Sequence, residues 1–177
     1  MLDLAISHEE ELQARYRETL FSDKHRYYYR FPTVEYFLEL SLASDVIQMV
    51  SLDDGKVGGF FSANINRETN TAYNLNIINF NGRNPVFTAD LFDFFILLFT
   101  RFGIERIVWD VIVGNPAESF YDRITANYGG RIVGTFWREA RLYDGKLYDV
   151  KYYEMYREPA LQIVRDKGVD GSSYRKG

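Results

Sequence analysis

Asp110 is the only charged side chain in the run from Ile107 to Val113, which is otherwise apolar at every position. A carboxylate in that setting is either paired with a cation or backbone donor, or kept for proton transfer. A second concentration of chemistry is the run Lys24-His25-Arg26-Tyr27-Tyr28-Tyr29-Arg30-Phe31. Its rings can stack on a base or sugar, line an acceptor pocket, or simply pack. The chain carries 21 basic and 25 acidic residues, a net charge of −4. That balance favours pocket or packing and argues against a nucleic-acid partner, whose affinity comes from phosphate neutralisation. There is no cysteine, and His8 and His25 are the only histidines. Thiolate zinc sites, iron–sulfur clusters, cysteine nucleophiles and three-histidine metal sites are therefore excluded, and no metal is expected. The sequence also lacks a phosphate-binding P-loop, the glycine fingerprint of dinucleotide folds, a zincin helix motif and a hydrolase nucleophile elbow.

These residues need elements to hold them. The chain has 177 residues, of which 46% are apolar and 17% aromatic, the proportions of one folded domain with an aromatic surplus. An opening strand near Asp3 to Ile6 leads into Ser7-x-x-Glu10, a capping-box pattern, and a first helix with Leu12, Tyr16 and Leu20 on one stripe. After Pro32, Val34, Phe37, Leu38 and Leu42 recur with helical spacing and predict a second helix. Val46 to Leu52 and Lys56 to Ile65 read as a hairpin around Asp54-Gly55, with a third strand from Ala72 to Phe80. Residues 86–102 read as a helix buried on most sides, with Asp90, Asp93, Thr100 and Arg101 on a narrow polar stripe. A strand over Ile107 to Val113 follows, then a helix opened by Asn115-Pro116 and striped by Ala117, Phe120, Tyr121, Ile124 and Tyr128. A long hairpin over about 131–142 and 147–157 closes a domain expected to span 1–158, with a polar tail over 159–177. The expected class is α/β, a mixed sheet in one layered domain. No apolar run approaches the roughly 20 residues of a membrane span. No basic leader precedes an apolar stretch either, so the expectation is a cytoplasmic protein without a membrane partner.

The stretch from Glu105 to Glu158 resembles the C-terminal half of the GNAT superfamily of acyl-CoA N-acyltransferases, in particular the branch with ribosomal-protein and polyamine acetyltransferases. Trp109-Asp110-Val111 stands where that family has its L-E-V strand. Asn115-x-Ala117 followed by Phe120-Tyr121 is similar to its N-x-x-A-x-x-x-Y element, one residue shorter before the alanine. Gly129-Gly130 replaces its Gly-Phe, and Gly145-x-x-Tyr148-Asp149-Val150 resembles its closing G-x-Y-x-D hairpin. The family's pyrophosphate loop, [RQ]-x-x-G-x-[GA], corresponds to Arg83-Asn84-Pro85-Val86-Phe87-Thr88, in which the arginine is kept and both glycines are lost.

The resemblance implies a GNAT-like, mostly antiparallel mixed sheet with helices on both faces, splayed between the strands ending near Phe80 and Val113. Acetyl-CoA would lie in that splay as co-substrate, contacting Gly82, Arg83, Asn84, Val86, Phe87, Thr88, Val111 and Asn115. Tyr121 would hydrogen-bond the departing thiolate and Asp110 would serve the proton chemistry, while Tyr27, Tyr28 and Tyr29 would border an amine-bearing small molecule or peptide. An ammonium of pKa near 10.4 must lose a proton before attack, about 4.6 kcal/mol at pH 7. Glu68, Asp90, Asp110, Glu139 and Asp149 are the carboxylates that could take it. The altered loop also admits a GNAT-fold module that binds or regulates without acetyl-CoA, and the sequence leaves a homodimer open.

Overall fold

Residues 1–30 and 35–168 are described in the computed structural model. β-Branched and aromatic alternation after Ala43 produces an antiparallel meander of β2 (Val46–Asp53), β3 (Lys56–Asn66) and β4 (Thr71–Asn79). Asp54 and Gly55 link the first two strands with φ of 53° and 76°, the positive values that a two-residue hairpin turn demands. A short β1 (Leu2–Leu4) adds to the β2 edge. Beyond β4 the chain runs through helix α2 (Pro85–Thr100) to β5 (Arg106–Ile112), then through α3 (Glu118–Asn127) into the hairpin of β6 (Gly130–Arg141) and β7 (Leu147–Tyr156). The seven strands lie in the order β1-β2-β3-β4-β5-β7-β6. Every neighbouring pair is antiparallel except β4–β5.

Helix α1 (Glu9–Thr19) covers one face, burying Leu12 and Tyr16 against Val50, Phe60 and Ile78. Helices α2 and α3 cover the other, where Phe61 stacks on Phe87 at 4.8 Å and on Phe94 at 5.4 Å. Gly59 permits that approach, because a Cβ there would stand 2.2 Å from the Phe87 ring. Much of the aromatic surplus lies in the cores on the two faces: Phe60 under α1, and Phe61, Phe94, Phe95, Phe99 and Tyr153 on the other, are all but inaccessible. Each such side chain contributes about 1.5–3 kcal/mol of burial. The GNAT-like, mixed, mostly antiparallel sheet with helices on both faces is the architecture found.

The parallel junction is the feature that makes a site. β4 and β5 pair only at Thr71 with Arg106 and Ala72 with Ile107, and then part. Asn74 adopts φ of 50°, and the β3–β4 register slips between Ser62 and Asn64, so β4 carries an extra residue where it leaves its neighbour. The expected splay is present and has a local cause.

Several expectations are corrected. No helix follows Pro32: residues 35–45 form neither helix nor strand. The Gln13 carboxamide bonds both the N–H and C=O of Leu38, and the Gln48 carboxamide takes the Ser41 N–H and the Glu39 C=O. Backbone groups that a helix would pair internally are thus held from α1 and β2. Phe31 and Val34 lie outside the described residues. Ser7 sits inside a 3₁₀ turn, Ala5–His8, and α1 begins at Glu9 with no side-chain cap, so the capping box is not made. Asp90 of the polar stripe is fully buried, bonded at 2.7 Å by both the Ser51 hydroxyl and the Met1 amine. The boundary expected at residue 158 falls within a fourth helix, α4 (Arg157–Lys167), whose Ala160 joins the core. Residues 169–177 lie outside the described residues. Among the described residues, no helix is long and apolar enough to cross a membrane.

Candidate functional site

Where β4 and β5 part, a cleft of about 1000 Å³ opens. Asp110 and Val111 of β5 border it on one side and the last residues of β4 on the other. Tyr121 and Asn115 approach from the α3 side, Gly82, Arg83, Phe87 and Thr88 from the start of α2, and Tyr27, Tyr28 and Tyr29 from the segment after α1. The cleft therefore gathers most of the residues singled out in the sequence. Asn84 and Val86 do not border it.

Helix α3 is held on the sheet by a polar anchor. Lys151 of β7 is ion-paired with Glu118, and its ammonium lies 3.2 Å from Asp122, which also accepts from the Tyr153 hydroxyl at 2.8 Å. Glu118 reaches back to accept the Gly114 N–H at 3.0 Å. This anchor fixes Tyr121, one helical turn away, against Trp109 and Tyr153 at ring distances of 6.2 and 6.0 Å. Burial pushes the Tyr121 hydroxyl well above its ordinary pKa, and the neighbouring Tyr28 and Asp110 add to the shift. No described residue hydrogen-bonds that hydroxyl. It is a neutral O–H beside a cleft, available to donate.

Asn115 is not the cap of α3, which starts three residues later with no side-chain cap. Its carboxamide accepts the Ala117 N–H at 2.9 Å and shapes the turn instead, because Pro116 and Ala117 remain outside the helix.

Asp110 is paired with Arg30. Burial raises its carboxyl above the usual range, and the Arg30 charge and hydrogen bond offset only part of that rise. Glu139 of β6, bonded by the Tyr152 hydroxyl at 2.9 Å, adds a repulsion that raises it further. Of the five carboxylates considered as bases, only Asp110 borders the cleft. Glu68 lies in the exposed β3–β4 turn, Asp90 is buried beneath β2, Glu139 bonds Tyr152, and Asp149 accepts the Arg138 N–H at 2.8 Å.

The three tyrosines are not an open stacking platform. Tyr29 is 7% exposed, bonded to Thr19 and edge-on to Tyr16. Tyr27 packs edge-on to Tyr148 at 6.4 Å, and burial raises the Tyr28 hydroxyl. The two arginines of the same run turn to protein partners: Arg26 to Tyr148 and Asp144, Arg30 to Asp110.

The start of α2 differs from an open anion cradle. Pro85 has no N–H, the Asn84 side chain accepts the Phe87 N–H at 3.1 Å, and the Asn84 carbonyl takes the Thr88 N–H at 3.1 Å. Only the Val86 amide of the first turn is left uncommitted. Positive charge comes from side chains instead: Lys24, Arg83 and Arg123 rim the cleft, and none of the three forms an ion pair with a described residue. The Lys24 ammonium lies over the Gly82 turn, 3.2 Å from where a Cβ would stand.

Sequence reasoning missed the polar wall on the far side of the cleft: Glu35, Glu39, Gln48, Ser62 and Asn64 all border it. The signal was the alternation of Ser62 and Asn64 with apolar Phe61, Ala63 and Ile65 in β3, which marks one face as polar.

No protein-family model matches the sequence, and no curated protein matches it. Solved structures do. A spermidine N-acetyltransferase from Vibrio cholerae, in complex with CoA and spermine, is similar over 91% of this chain and 97% of its own, with a TM-score of 0.70 and 17% identity. A GCN5-related N-acetyltransferase from Brucella melitensis is similar over 99% of this chain and 90% of its own, with a TM-score of 0.63 and 17% identity. A third, described as "Probable acetyltransferase", is matched over 64% of this chain and 63% of its own, with a TM-score of 0.55 and 17% identity. Strand order, the two-pair β4–β5 junction and these likenesses together place the chain in the GNAT fold of N-acetyltransferases.

Proposed function

We propose that the chain is an N-acetyltransferase that moves an acetyl group from acetyl-CoA to an amine by direct transfer in a ternary complex. The observation that carries this reading is the cleft where β4 and β5 part, with Lys24, Arg83 and Arg123 on its rim and Tyr121 and Asp110 beside it. Solved neighbours of the same fold are acetyltransferases, one of them bound to CoA and spermine, which supports acetyl transfer to an amine.

The residues present fit acetyl-CoA by charge more than by backbone. Lys24, Arg83 and Arg123 would hold its phosphate oxygens. Bound there, acetyl-CoA supplies an activated thioester. Asp110 removes a proton from the incoming ammonium, directly or through water, so that the amine nitrogen can attack the carbonyl carbon. Tyr121 donates a hydrogen bond to the sulfur as the carbon–sulfur bond breaks. Full proton loss from Tyr121 is unfavourable, since burial raises its pKa, and hydrogen bonding to the thiolate is the role that suits it. Holding both reactants in one cleft supplies much of the rate.

The self-capped start of α2 favours a second reading, a GNAT-fold binding module without acetyl-CoA chemistry. The homodimer left open by the sequence is compatible with Ile132, Val133, Phe136 and Trp137, which are exposed on the edge strand β6. A thiol-release assay with acetyl-CoA and a panel of peptides, polyamines and aminoglycosides tests the enzyme reading. Amine-dependent thiol release supports it; none across the panel at millimolar concentrations overturns it.

A further inference from the structure

The wall of the cleft formed by β2, β3 and β4 carries a row of polar side chains, most of which the fold does not use. Gln48 of β2 lies directly opposite Ser62 of β3, and Ser62 lies directly opposite Asn76 of β4. These positions form one line across three strands, about 10 Å long at ordinary strand spacing. Asn64, two residues along β3, shares the same face. All four border the cleft.

The Gln48 carboxamide is committed to the Ser41 N–H and Glu39 C=O. The Ser62 hydroxyl and the Asn64 and Asn76 carboxamides bond no described residue, although all three are half-buried. Neutral groups that both donate and accept match hydroxyls, which do the same. They match a chain of methylenes poorly, because a ligand that covers them without bonding leaves them desolvated and unpaired. Glu35 and Glu39, exposed at the border of the same cleft, suit a protonated amine, and the half-buried Tyr28 ring borders it as well.

Resting on the transferase reading above, we infer that the acceptor is a polyhydroxylated amine of the amino-sugar class, with hydroxyls bound by Ser62, Asn64 and Asn76, rather than a linear polyamine. A site built to bond hydroxyls rejects an analogue that lacks them far more strongly than an apolar site rejects a methylene.

The test compares D-glucosamine with cyclohexylamine, a ring amine without hydroxyls, and with spermidine, in thiol release from acetyl-CoA. Rates are referred to the fraction of neutral amine. The expected result is a kcat/KM for glucosamine at least about tenfold above both others. Replacing Ser62 and Asn76 together by alanine is expected to raise the glucosamine KM by at least about tenfold and to leave cyclohexylamine within about twofold. An equal or higher kcat/KM with cyclohexylamine or spermidine overturns the inference, and this wild-type comparison decides the matter even if the double variant does not fold. Calorimetric titrations with each ligand alone separate the two claims. Heat with glucosamine but none with acetyl-CoA keeps the hydroxylated-amine site and overturns the transferase. Heat with acetyl-CoA, together with turnover that ignores hydroxyls, keeps the transferase and overturns the inference.

Discussion

Arg30 forms an ion pair with Asp110, carrying a cation from the segment after α1 to the strand that borders the cleft. Burial raises the half-buried Asp110 carboxyl and Arg30 restrains that rise, so the arginine favours the ionised form that can accept a proton. Removing Arg30 removes the restraint. Arg30→Met is expected to shift the acidic limb of the pH–rate profile to higher pH, and Asp110→Asn to lower kcat by about 100-fold. An acidic limb that stays in place in Arg30→Met removes Asp110 from the proton path.

Tyr121 separates a chemical role from a packing role. Its hydroxyl faces the cleft without a described partner, so deletion leaves no stranded group behind. Tyr121→Phe is expected to keep or slightly raise the melting temperature and to leave acetyl-CoA affinity within about twofold, while kcat falls by about 10- to 100-fold. A lowered melting temperature with unchanged kcat would make Tyr121 a structural residue only.

The Lys151 anchor predicts a pH-dependent stability. Lys151 and Glu118 are 17% and 21% exposed, between the surface and buried regimes, so Lys151→Met is expected to cost about 1–2 kcal/mol at pH 7. The hydrogen bond from Lys151 holds the Glu118 carboxyl below its ordinary value of 4.5. A lowered carboxylate pKa contributes stability that is fully present above the ordinary value and is lost as pH falls through the folded value. Urea unfolding should therefore show a wild-type advantage at pH 7 that shrinks steadily below pH 4.5. An advantage independent of pH over that range contradicts the ion-pair origin.

Asn84 occupies a donor that a phosphate could otherwise use. Asn84→Gly is expected to cost only a few tenths of a kcal/mol at the cap and to free the Phe87 N–H. Acetyl-CoA affinity should rise several-fold. Weaker binding in this variant, measured by titration, would mean that Asn84 itself contacts the ligand or that its cap is needed to shape the loop.

Much of the scaffold was legible because local rules and tertiary packing agree there. The hairpin at Asp54-Gly55, the apolar strand around Asp110 and the helix that carries Phe120, Tyr121 and Ile124 formed where their spacing put them, although that helix begins three residues after Asn115. The helix expected after Pro32 failed because the Leu38, Glu39 and Ser41 backbone is claimed by Gln13 and Gln48, and such bonds leave no periodic trace. That same error hid Glu35 and Glu39 from the site. The row of Gln48, Ser62 and Asn76 depends on the register of three strands, which turn chemistry constrains but single residues do not announce. The loss of both loop glycines was visible in the sequence, yet the use of Asn84 to fill the donor they would expose required the structure.

The proposed function requires acetyl-CoA in the gap between β4 and β5 with its phosphates at Lys24, Arg83 and Arg123. The most direct measurement is calorimetric titration of acetyl-CoA into the wild-type protein and into the Lys24→Ala/Arg83→Ala variant. Saturable binding by the wild type is expected, with an affinity at least about tenfold weaker in the variant, in line with the loss of two charge-assisted contacts. Absence of heat with the wild type at millimolar acetyl-CoA, or identical affinity in both proteins, would contradict it.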